Sequence, residues 1–215
     1  LNATENWLVN GALRYENYSD FGNTVTFKLA SLLKLNSNIN WRISGQTGFR
    51  APSLQQKYFE SSSTQFINGS PYQVGYFTND SDAAKSIGVA NLKPETSKSV
   101  STGFTFKIPS ANLTIATDAY FTRIDDRVVL TGQYARPSDA QISGAATPAQ
   151  QAALTLFQEA FDTKGVERAS FWTNGINSET KGIDVVISHK YNVIPDFTIK
   201  NDFALSYNQT RRVGD

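Results

Sequence analysis

The sequence predicts an all-β fold made of long antiparallel strands, of the kind that form a transmembrane β-barrel. Three observations predict it: apolar and polar residues alternate over seven segments, these segments are long, and short connections alternate with long ones. A strand that crosses a bilayer at a tilt needs roughly nine to eleven residues, whereas strands of globular proteins average about five or six. We therefore expect about seven long antiparallel strands with long loops outside the membrane.

The first three segments alternate with period two, which predicts strands with one apolar face. In residues 24–36 the apolar side chains occupy the odd positions, and polar side chains occupy most of the even ones. Residues 7–16 and 39–50 show the same pattern. The segment Asn36–Asn38 between the second and third strands carries residues that favour a tight reversal.

Four later segments keep this alternation, so the strand pattern extends along the chain. They are residues 99–108, 113–122, 183–190 and 197–208. Two short connections between them, Pro109–Asn112 and Asn192–Asp196, contain the Asn and Pro residues typical of turns. Together with Asn36–Asn38 they predict one rim of short turns.

The remaining connections, residues 17–23, 51–95 and 132–167, predict the opposite, extracellular rim. The last two are far longer than ordinary connections and are therefore expected to be functional or disordered. Within the third, Thr147 and Pro148 have the order of an N-cap and a first helical residue. Apolar residues on one helical face follow before Gly165, so this loop is expected to contain a short helix; they are Leu154, Phe157 and Phe161.

Composition excludes several classes of protein. The formal charge is +1, from 20 Lys+Arg and 19 Asp+Glu, which gives no electrostatic reason to expect a nucleic-acid partner. There is no Cys and a single His, His189, so a metal site built from thiolates or from several His residues is not expected. A Ser-His-Asp or Cys-His catalytic set is not expected either. No cofactor is predicted. No apolar run is long enough for a transmembrane helix, and no signal-peptide pattern opens the chain.

Several segments resemble the barrel half of TonB-dependent outer-membrane receptors. They are residues 14–22, 48–56, 92–97, 118–130, 171–175 and 181–184, and their order along the chain matches as well. The resemblance implies a 22-stranded barrel around an N-terminal plug, on which a TonB energy-coupling complex pulls to release a bound ligand. Residues 1–215 are expected to be part of one such barrel domain without its plug, because neither a plug nor a coupling box is found and the chain opens at Leu1 and stops at Asp215 directly after a strand-like segment.

The resemblance also implies a function: ligand import through the bacterial outer membrane, with contact to its lipid bilayer. A ferric siderophore is the cargo expected from the family. Uptake of an oligosaccharide or another nutrient is the alternative, and a surface lipoprotein partner would then be expected. A passive porin and a soluble extracellular β-sandwich binding module also stay open, although the sandwich does not explain the strand lengths.

Candidate ligand residues are aromatic side chains among the Ser, Gln, Asn and Gly residues of the segment 51–95, because rigid amphipathic rings beside hydrogen-bonding groups suit ligand binding. The alternative role of such rings is to fasten a large loop. The predicted ligand residues are Tyr58, Phe59, Tyr72, Tyr76 and Phe77.

Other motif residues have structural interpretations. Gly48, Arg50 and Pro52 are expected to shape the end of a strand. Asp125 and Asp126 are adjacent on a strand, so they point to opposite faces and are expected to pair with nearby arginines rather than to bind a metal ion or act as an acid–base pair. The sequence therefore predicts no catalytic centre.

Overall fold

A computed structural model describes residues 2–194 and 197–214 of the chain. In this part of the chain seven strands have at least 12 residues, which confirms the prediction of about seven long strands. The strands are β1 (Asn2–Thr4), β2 (Trp7–Tyr18), β3 (Gly22–Lys34), β4 (Ile39–Arg50), β5 (Ser61–Ile67), β6 (Ser70–Phe77), β7 (Glu95–Ile108), β8 (Leu113–Leu130), β9 (Tyr134–Ala135), β10 (Arg168–Ile194) and β11 (Phe197–Val213). The helices are α1 (Leu54–Tyr58), α2 (Asp82–Ser86), α3 (Asp139–Ser143) and α4 (Pro148–Lys164), and a 3₁₀ turn covers Pro109–Ala111.

The chain divides into two compact units. The strand unit comprises Leu1–Phe49, Thr96–Asp125 and Asn177–Asp215. The loop unit comprises Arg50–Glu95 and Asp126–Ile176, which include most of the two longest predicted loops. Each unit has its own packing and is described in turn.

Antiparallel ladders of the strand unit place apolar residues opposite apolar residues. The strands are ordered β1-β2-β3-β4-β7-β8-β10-β11. Trp7 lies opposite Leu33 in the β2–β3 ladder, and Ile183 lies opposite Tyr207 in the β10–β11 ladder. Because paired residues point to the same side of a sheet, this register gathers the predicted apolar faces of separate strands into one continuous face.

That apolar face is largely exposed. Leu13 is 77% exposed, and large side chains along β3 and β11 are also more than half exposed, among them Leu29, Phe203 and Tyr207. Exposed apolar area of this extent marks an interaction surface, and a regular two-faced strand pattern of this length fits contact with lipid. Within residues 2–194 and 197–214, none of the helices combines the length and the hydropathy of a membrane span.

The opposite face carries ion pairs that join separate strands. The Arg42 guanidinium of β4 donates to both carboxylate oxygens of Asp118 in β8, and its Nη1 donates to Thr105 of β7 at 2.7 Å. Gly103 of β7 lies directly opposite Asp118 in the ladder. A Cβ at Gly103 would collide with the Asp118 carboxylate. The glycine therefore leaves room for the Arg42–Asp118 ion pair, which crosses β7 to join β4 to β8.

A second network on the strands confirms the structural interpretation of Asp125. Arg123 Nε lies 2.8 Å from Asp125 Oδ1, and Arg123 Nη1 lies 3.2 Å from Glu179 Oε1. Glu179 also accepts from Arg211 at 2.7 Å, so β8, β10 and β11 are connected through one carboxylate. Asp126 has a left-handed backbone with φ of 57°, which interrupts the regular alternation after Asp125.

The turns form as their residues predict, with one shorter connection than expected. Asn36 Oδ1 accepts from the backbone N–H of Asn38 at 2.8 Å, and Asn112 closes the 3₁₀ turn with a φ of 47°. The connection expected over residues 17–23 is present but shorter, because β2 continues to Tyr18 and β3 begins at Gly22, whose φ of 80° permits a tight turn. Of the predicted turn Asn192–Asp196, residues 195 and 196 lie outside the described residues.

The two longest predicted loops contain strands and helices, so the described residues favour a functional loop over a disordered one. β5 and β6 form a hairpin around Asn68 and Gly69, both with positive φ, as the favoured two-residue turn requires. β6 pairs in parallel with the start of β10, and β9 pairs with the same part of β10. We call these four strand segments the loop sheet.

Helix α4 confirms the helix predicted in the third connection. The Thr147 side chain accepts from Gln150 N at 3.2 Å, Pro148 is the first helical residue, and Gly165 ends the helix with a left-handed φ of 64°. Phe157 and Phe161 are buried. They pack with residues of the loop sheet and α2, and the buried core comprises Phe77, Ala84, Phe157, Phe161, Val166, Ala169 and Phe171.

We predict that Gly103→Ala destabilises the strand unit by about 1–3 kcal/mol, because the added methyl group displaces Asp118 from Arg42. The measurement is the urea midpoint of unfolding of the full-length protein in detergent. Gly45→Ala is the matched control, since a Cβ at Gly45 meets nothing within 4 Å. Equal midpoints for the two variants would contradict the packing argument.

Candidate functional site

A buried carboxylate joins two of the segments that carry the family resemblance. Glu95, at the start of β7, is 7% exposed and accepts a hydrogen bond from Arg50 at the end of β4. The same carboxylate oxygen accepts from the backbone N–H of Val128 at 2.9 Å. Arg50 therefore has a structural role, as the sequence analysis expected, and the Arg50–Glu95 pair fixes where the two strands enter the loop unit.

Asn174 makes a similar connection for a third such segment. Its Oδ1 accepts from Lys93 N at 2.8 Å, and its Nδ2 donates to Lys93 O at 2.9 Å and to Asp126 O at 2.6 Å. One amide side chain thus satisfies backbone groups of two other segments. These contacts leave the motif residues occupied with backbone and charge pairing rather than open to a ligand.

The loop sheet has two faces with different roles. Strand alternation and the register of β6 with β10 place Phe77, Ala169 and Phe171 on the face covered by α4. The Phe77 ring packs edge-on against Phe161 and Phe171, with centroids 5.9 and 5.8 Å apart. Phe77 is 4% exposed and serves as a core residue, which argues against its predicted role in ligand binding.

The other face of the loop sheet carries two of the predicted ligand residues. Tyr72 and Tyr76 of β6 are half-buried and lie on this face together with Arg168 of β10, which is opposite Val74 in the ladder. The Arg168 guanidinium lies 4.8 Å from the centre of the Tyr72 ring. We call this face, defined by Tyr72, Val74, Tyr76, Arg168 and Ser170, the tyrosine face.

The remaining predicted ligand residues lie at the end of α1. Tyr58 is 61% exposed and Phe59 is 49% exposed. The helix is set by a capping box, in which Ser53 accepts from Gln56 N at 3.2 Å and Gln56 accepts from Ser53 N at 2.9 Å. These contacts fix the helix and leave both aromatic rings available to a ligand. The structure therefore separates the predicted residues into three groups rather than bringing all five together.

A groove in the loop unit lies next to Phe77 and Tyr76. It consists of two adjacent depressions of about 460 and 260 Å³, which share Glu60, Phe77 and Lys164. Tyr76 lines the smaller depression, and the larger one has an apolar wall formed by Leu156 and Ala160 of α4. Its remaining lining is polar and carries three further carboxylates, those of Asp80, Asp82 and Glu159.

One ion pair lies where the two depressions meet. Lys164 Nζ is 2.6 Å from Glu60 Oε2, and the hydrogen bond from Lys164 lowers the pKa of the Glu60 carboxyl. Near the end of α4, Asp162 accepts two hydrogen bonds from Arg136, at 2.6 and 2.8 Å, which lower the pKa of the Asp162 carboxyl. Among residues 2–194 and 197–214, no three His, Asp or Glu side chains gather as metal ligands.

Sequence reasoning missed Lys164 and Arg168 as site residues. Neither has a local signal, because their positions beside Glu60 and Tyr72 depend on pairing between segments that are distant along the chain. The Asn68–Gly69 pair, by contrast, is a recognised hairpin signal that predicts the β5–β6 hairpin without a structure.

The fold and the arrangement of these segments agree with a known family. The family model for the TonB-dependent receptor-like β-barrel matches residues 1–214. The chain belongs to this family of TonB-dependent receptor β-barrels. Membership supports the predicted transmembrane β-barrel segment, identifies a receptor and transporter family rather than an enzyme class, and removes the support for a soluble β-sandwich.

Similar solved structures agree on the receptor fold. The siderophore receptor PirA from Pseudomonas aeruginosa matches with 15% identity and a TM-score of 0.64, over 98% of this chain and 32% of that chain. PirA from Acinetobacter baumannii matches with 17% identity and a TM-score of 0.59, over 95% of this chain and 26% of that chain. The RagAB peptide importer matches with 10% identity and a TM-score of 0.58, over 97% of this chain and 20% of that chain.

A search of the curated proteins by sequence found no match. The chain spans less than a third of the length of each of these three solved structures. The similarity therefore shows a shared fold and does not extend to the ligands.

We predict that Arg50→Gln destabilises this receptor by about 1–3 kcal/mol, because it leaves the buried Glu95 carboxylate without its cation. The cost is at the lower end for a buried pair, since Arg50 is itself largely exposed. Glu95→Gln should cost less, because Arg50 returns to water and the amide oxygen still accepts from Val128. Double-mutant analysis of urea unfolding should give a coupling of about 1 kcal/mol between the two positions.

The control for this cycle is Arg14→Gln, which removes an exposed pair with Glu16. Exposed pairs contribute about 0–1 kcal/mol, so the control should change stability little. A cost for Arg50→Gln no greater than that of Arg14→Gln would show that the pair does not hold these segments together.

We also predict that the Glu60–Lys164 contact is lost on acidification. Because the folded-state pKa of Glu60 is lowered, the stabilisation is fully present above the unfolded pKa, about 4.3, and disappears as the pH falls through the folded value. Lys164→Gln should reduce hydrogen-exchange protection at the end of α4 by about twofold near pH 6, as expected for a partly exposed pair of about 0.5 kcal/mol. This difference from the wild-type protein should shrink as the pH is lowered below about 4.3.

Lys85→Gln in α2 is the matched control, because no acidic partner of Lys85 occurs among the ion pairs of the described residues. If the effect of Lys164→Gln were the same at pH 6 and pH 3, the pair would not be the source of the protection.

Proposed function

We propose that the chain is part of an outer-membrane receptor that imports a ferric siderophore by energy-coupled transport. The observation that carries this proposal is the family match over residues 1–214, and siderophore receptors among the similar structures support the cargo. The full-length protein would contain the rest of the barrel and a plug. The TonB energy-coupling complex would act on that plug.

The strand unit supports a location in the bacterial outer membrane. Its continuous exposed apolar face suits lipid, and its opposite face pairs charges such as Arg42 and Asp118, which suits a wet interior. Backbone groups in hydrocarbon must be paired, and the long regular ladders between β2 and β3 and between β10 and β11 meet this requirement for the paired strands.

The loop unit supports ligand capture rather than catalysis. The tyrosine face presents Tyr72 and Tyr76 beside Arg168, and Tyr58 and Phe59 remain exposed at the end of α1. Aromatic rings beside hydrogen-bonding groups bind a ligand by stacking and directional contacts. The packed core behind the tyrosine face gives these side chains a rigid support, which lowers the entropic cost of binding.

Import of a different nutrient is the second candidate. The similarity to the RagAB peptide importer favours it over a passive pore, and an oligosaccharide is a further cargo of this kind. A surface lipoprotein that covers the outer mouth would then be a partner. Both candidates share the receptor and the energy coupling, and they differ only in what the loops bind.

We expect that deletion of the gene for the full-length receptor abolishes uptake of at least one radiolabelled ferric chelate in iron-limited cells, because the outer membrane blocks passive entry of large chelates. A panel of ferric catecholates, hydroxamates and carboxylates measures this. Collapse of the proton gradient with an uncoupler should abolish the same uptake in wild-type cells, since transport is coupled to energy.

Complementation with the intact gene is the control and should restore uptake. Unchanged uptake of every chelate, with impaired growth of the deletion strain on oligopeptides or oligosaccharides, would replace the siderophore by the second candidate. Uptake that resists the uncoupler would instead indicate a passive pore.

A further inference from the structure

We infer that Arg168, whose guanidinium carbon lies over the Tyr72 ring, forms a subsite for an anionic oxygen group of the ligand, such as a carboxylate or a catecholate. The inference rests on the proposed function, because it names the chemistry that the loop unit recognises. It concerns residues of the loop unit alone.

The position of Arg168 follows from the register of the loop sheet. Arg168 lies opposite Val74 in the parallel β6–β10 ladder, so its side chain is on the same face as Tyr72, two residues before Val74. The guanidinium carbon lies 4.8 Å from the Tyr72 ring centre, a distance at which a cation is attracted to the ring face. This contact fixes the long side chain in one place.

Arg168 differs from the paired arginines of the chain. Its Nε is buried and has no hydrogen-bond partner, and no ion pair of Arg168 occurs among residues 2–194 and 197–214. Other arginines lie within 4 Å of a carboxylate; they are Arg14, Arg42, Arg50, Arg123, Arg136 and Arg211. The Nε thus lacks the hydrogen bond that a buried donor normally makes, while the side chain as a whole is half-buried and has no carboxylate partner.

The nearest acidic residue in the sequence does not fill this role. Glu167 lies directly before β10, which begins at Arg168, and makes no ion pair with Arg168 among the described residues. Glu167 Oε2 instead accepts from the backbone N–H of Gln73 at 3.2 Å. The cation on the tyrosine face is therefore not neutralised by its neighbour.

The geometry selects the class of ligand group. The guanidinium carbon lies over the Tyr72 ring, and no carboxylate of the described residues pairs with the guanidinium, so its N–H groups are left for an acceptor. Two oxygens on one planar group fit this fork better than a single carbonyl, because both N–H···O bonds form together and are charge-assisted. Tyr76 is a half-buried neighbour on the same face, and Ser170, which is opposite it in the ladder, is buried.

The first test uses chemical modification of the full-length receptor in detergent. Phenylglyoxal reacts with accessible arginines, and peptide mass spectrometry reports the rate at Arg168. We expect 2,3-dihydroxybenzoate to slow this reaction at least threefold and the uncharged 2,3-dihydroxybenzamide to leave it unchanged. Arg136, which is held by Asp162, is the internal control and should respond to neither compound.

The second test measures binding of the same two compounds to variants by isothermal titration calorimetry. Arg168→Gln should weaken binding of the benzoate about tenfold, whereas Arg168→Lys should retain part of it, because a lysine keeps the charge and loses the two-point contact. Arg136→Gln is the matched control and should bind the benzoate as the wild-type receptor does.

Each outcome decides the inference. Protection by the benzoate alone, together with the loss of affinity in Arg168→Gln, supports it. Equal protection by both compounds or by neither, or an Arg168 that phenylglyoxal does not reach, overturns it. If the benzoate protects Arg168 but deletion of the gene leaves iron uptake intact, the siderophore cargo is rejected and the anion subsite is kept. If deletion abolishes iron uptake but Arg168 responds to neither compound, the siderophore cargo is kept and the anion subsite is rejected.

Discussion

The buried carboxylate of Glu95 is the group on which the path into the loop unit depends. A buried charge is tolerated only when charge and hydrogen bonds compensate for its lost hydration, and Arg50 and Val128 supply both. Arg50 lies at the end of β4 and Val128 near the end of β8, so one carboxylate connects segments that are distant along the chain. Asn174 extends the same principle to backbone groups of Lys93 and Asp126. Segments that resemble a receptor family are thus held together by the contacts of Glu95 and Asn174.

The strand unit could be predicted almost completely because its information is local. A two-residue period shows which side chains share a face, and the observed pairs, such as Trp7 with Leu33, join the predicted apolar faces. The boundaries were harder to predict. β8 continues beyond the left-handed Asp126, and β10 begins in a segment where Ala169, Ser170 and Phe171 are all buried, so the alternation in polarity is lost although the backbone stays extended. Burial on both faces removes the signal that alternation depends on.

Much less of the candidate site could be predicted, for a related reason. Tyr76 and Phe77 are adjacent aromatic residues, and both were predicted to bind ligand. Phe77 is buried and Tyr76 is half-buried, and this difference depends on which side of β6 is covered by α4. That contact joins segments far apart in the chain. The helices α1 and α3 are five residues long, too short for an apolar period, although Ser53 and Ser138 cap them in the usual way. Helix α4 is long enough to show its period, and its cap and buried face follow the sequence.

The loop unit combines unlike electrostatic environments. Asp80, Asp82 and Glu159 line the groove, and its cation Lys164 is already held by Glu60, so the groove repels anions. The tyrosine face offers Arg168 without a carboxylate partner. Tyr76 belongs to this face and also lines the smaller depression of the groove, so a ligand with both a charged and an aromatic part could contact the two regions together. Its anionic group would be favoured at Arg168 and disfavoured among the carboxylates, and this difference in free energy would orient the ligand before any movement of the receptor.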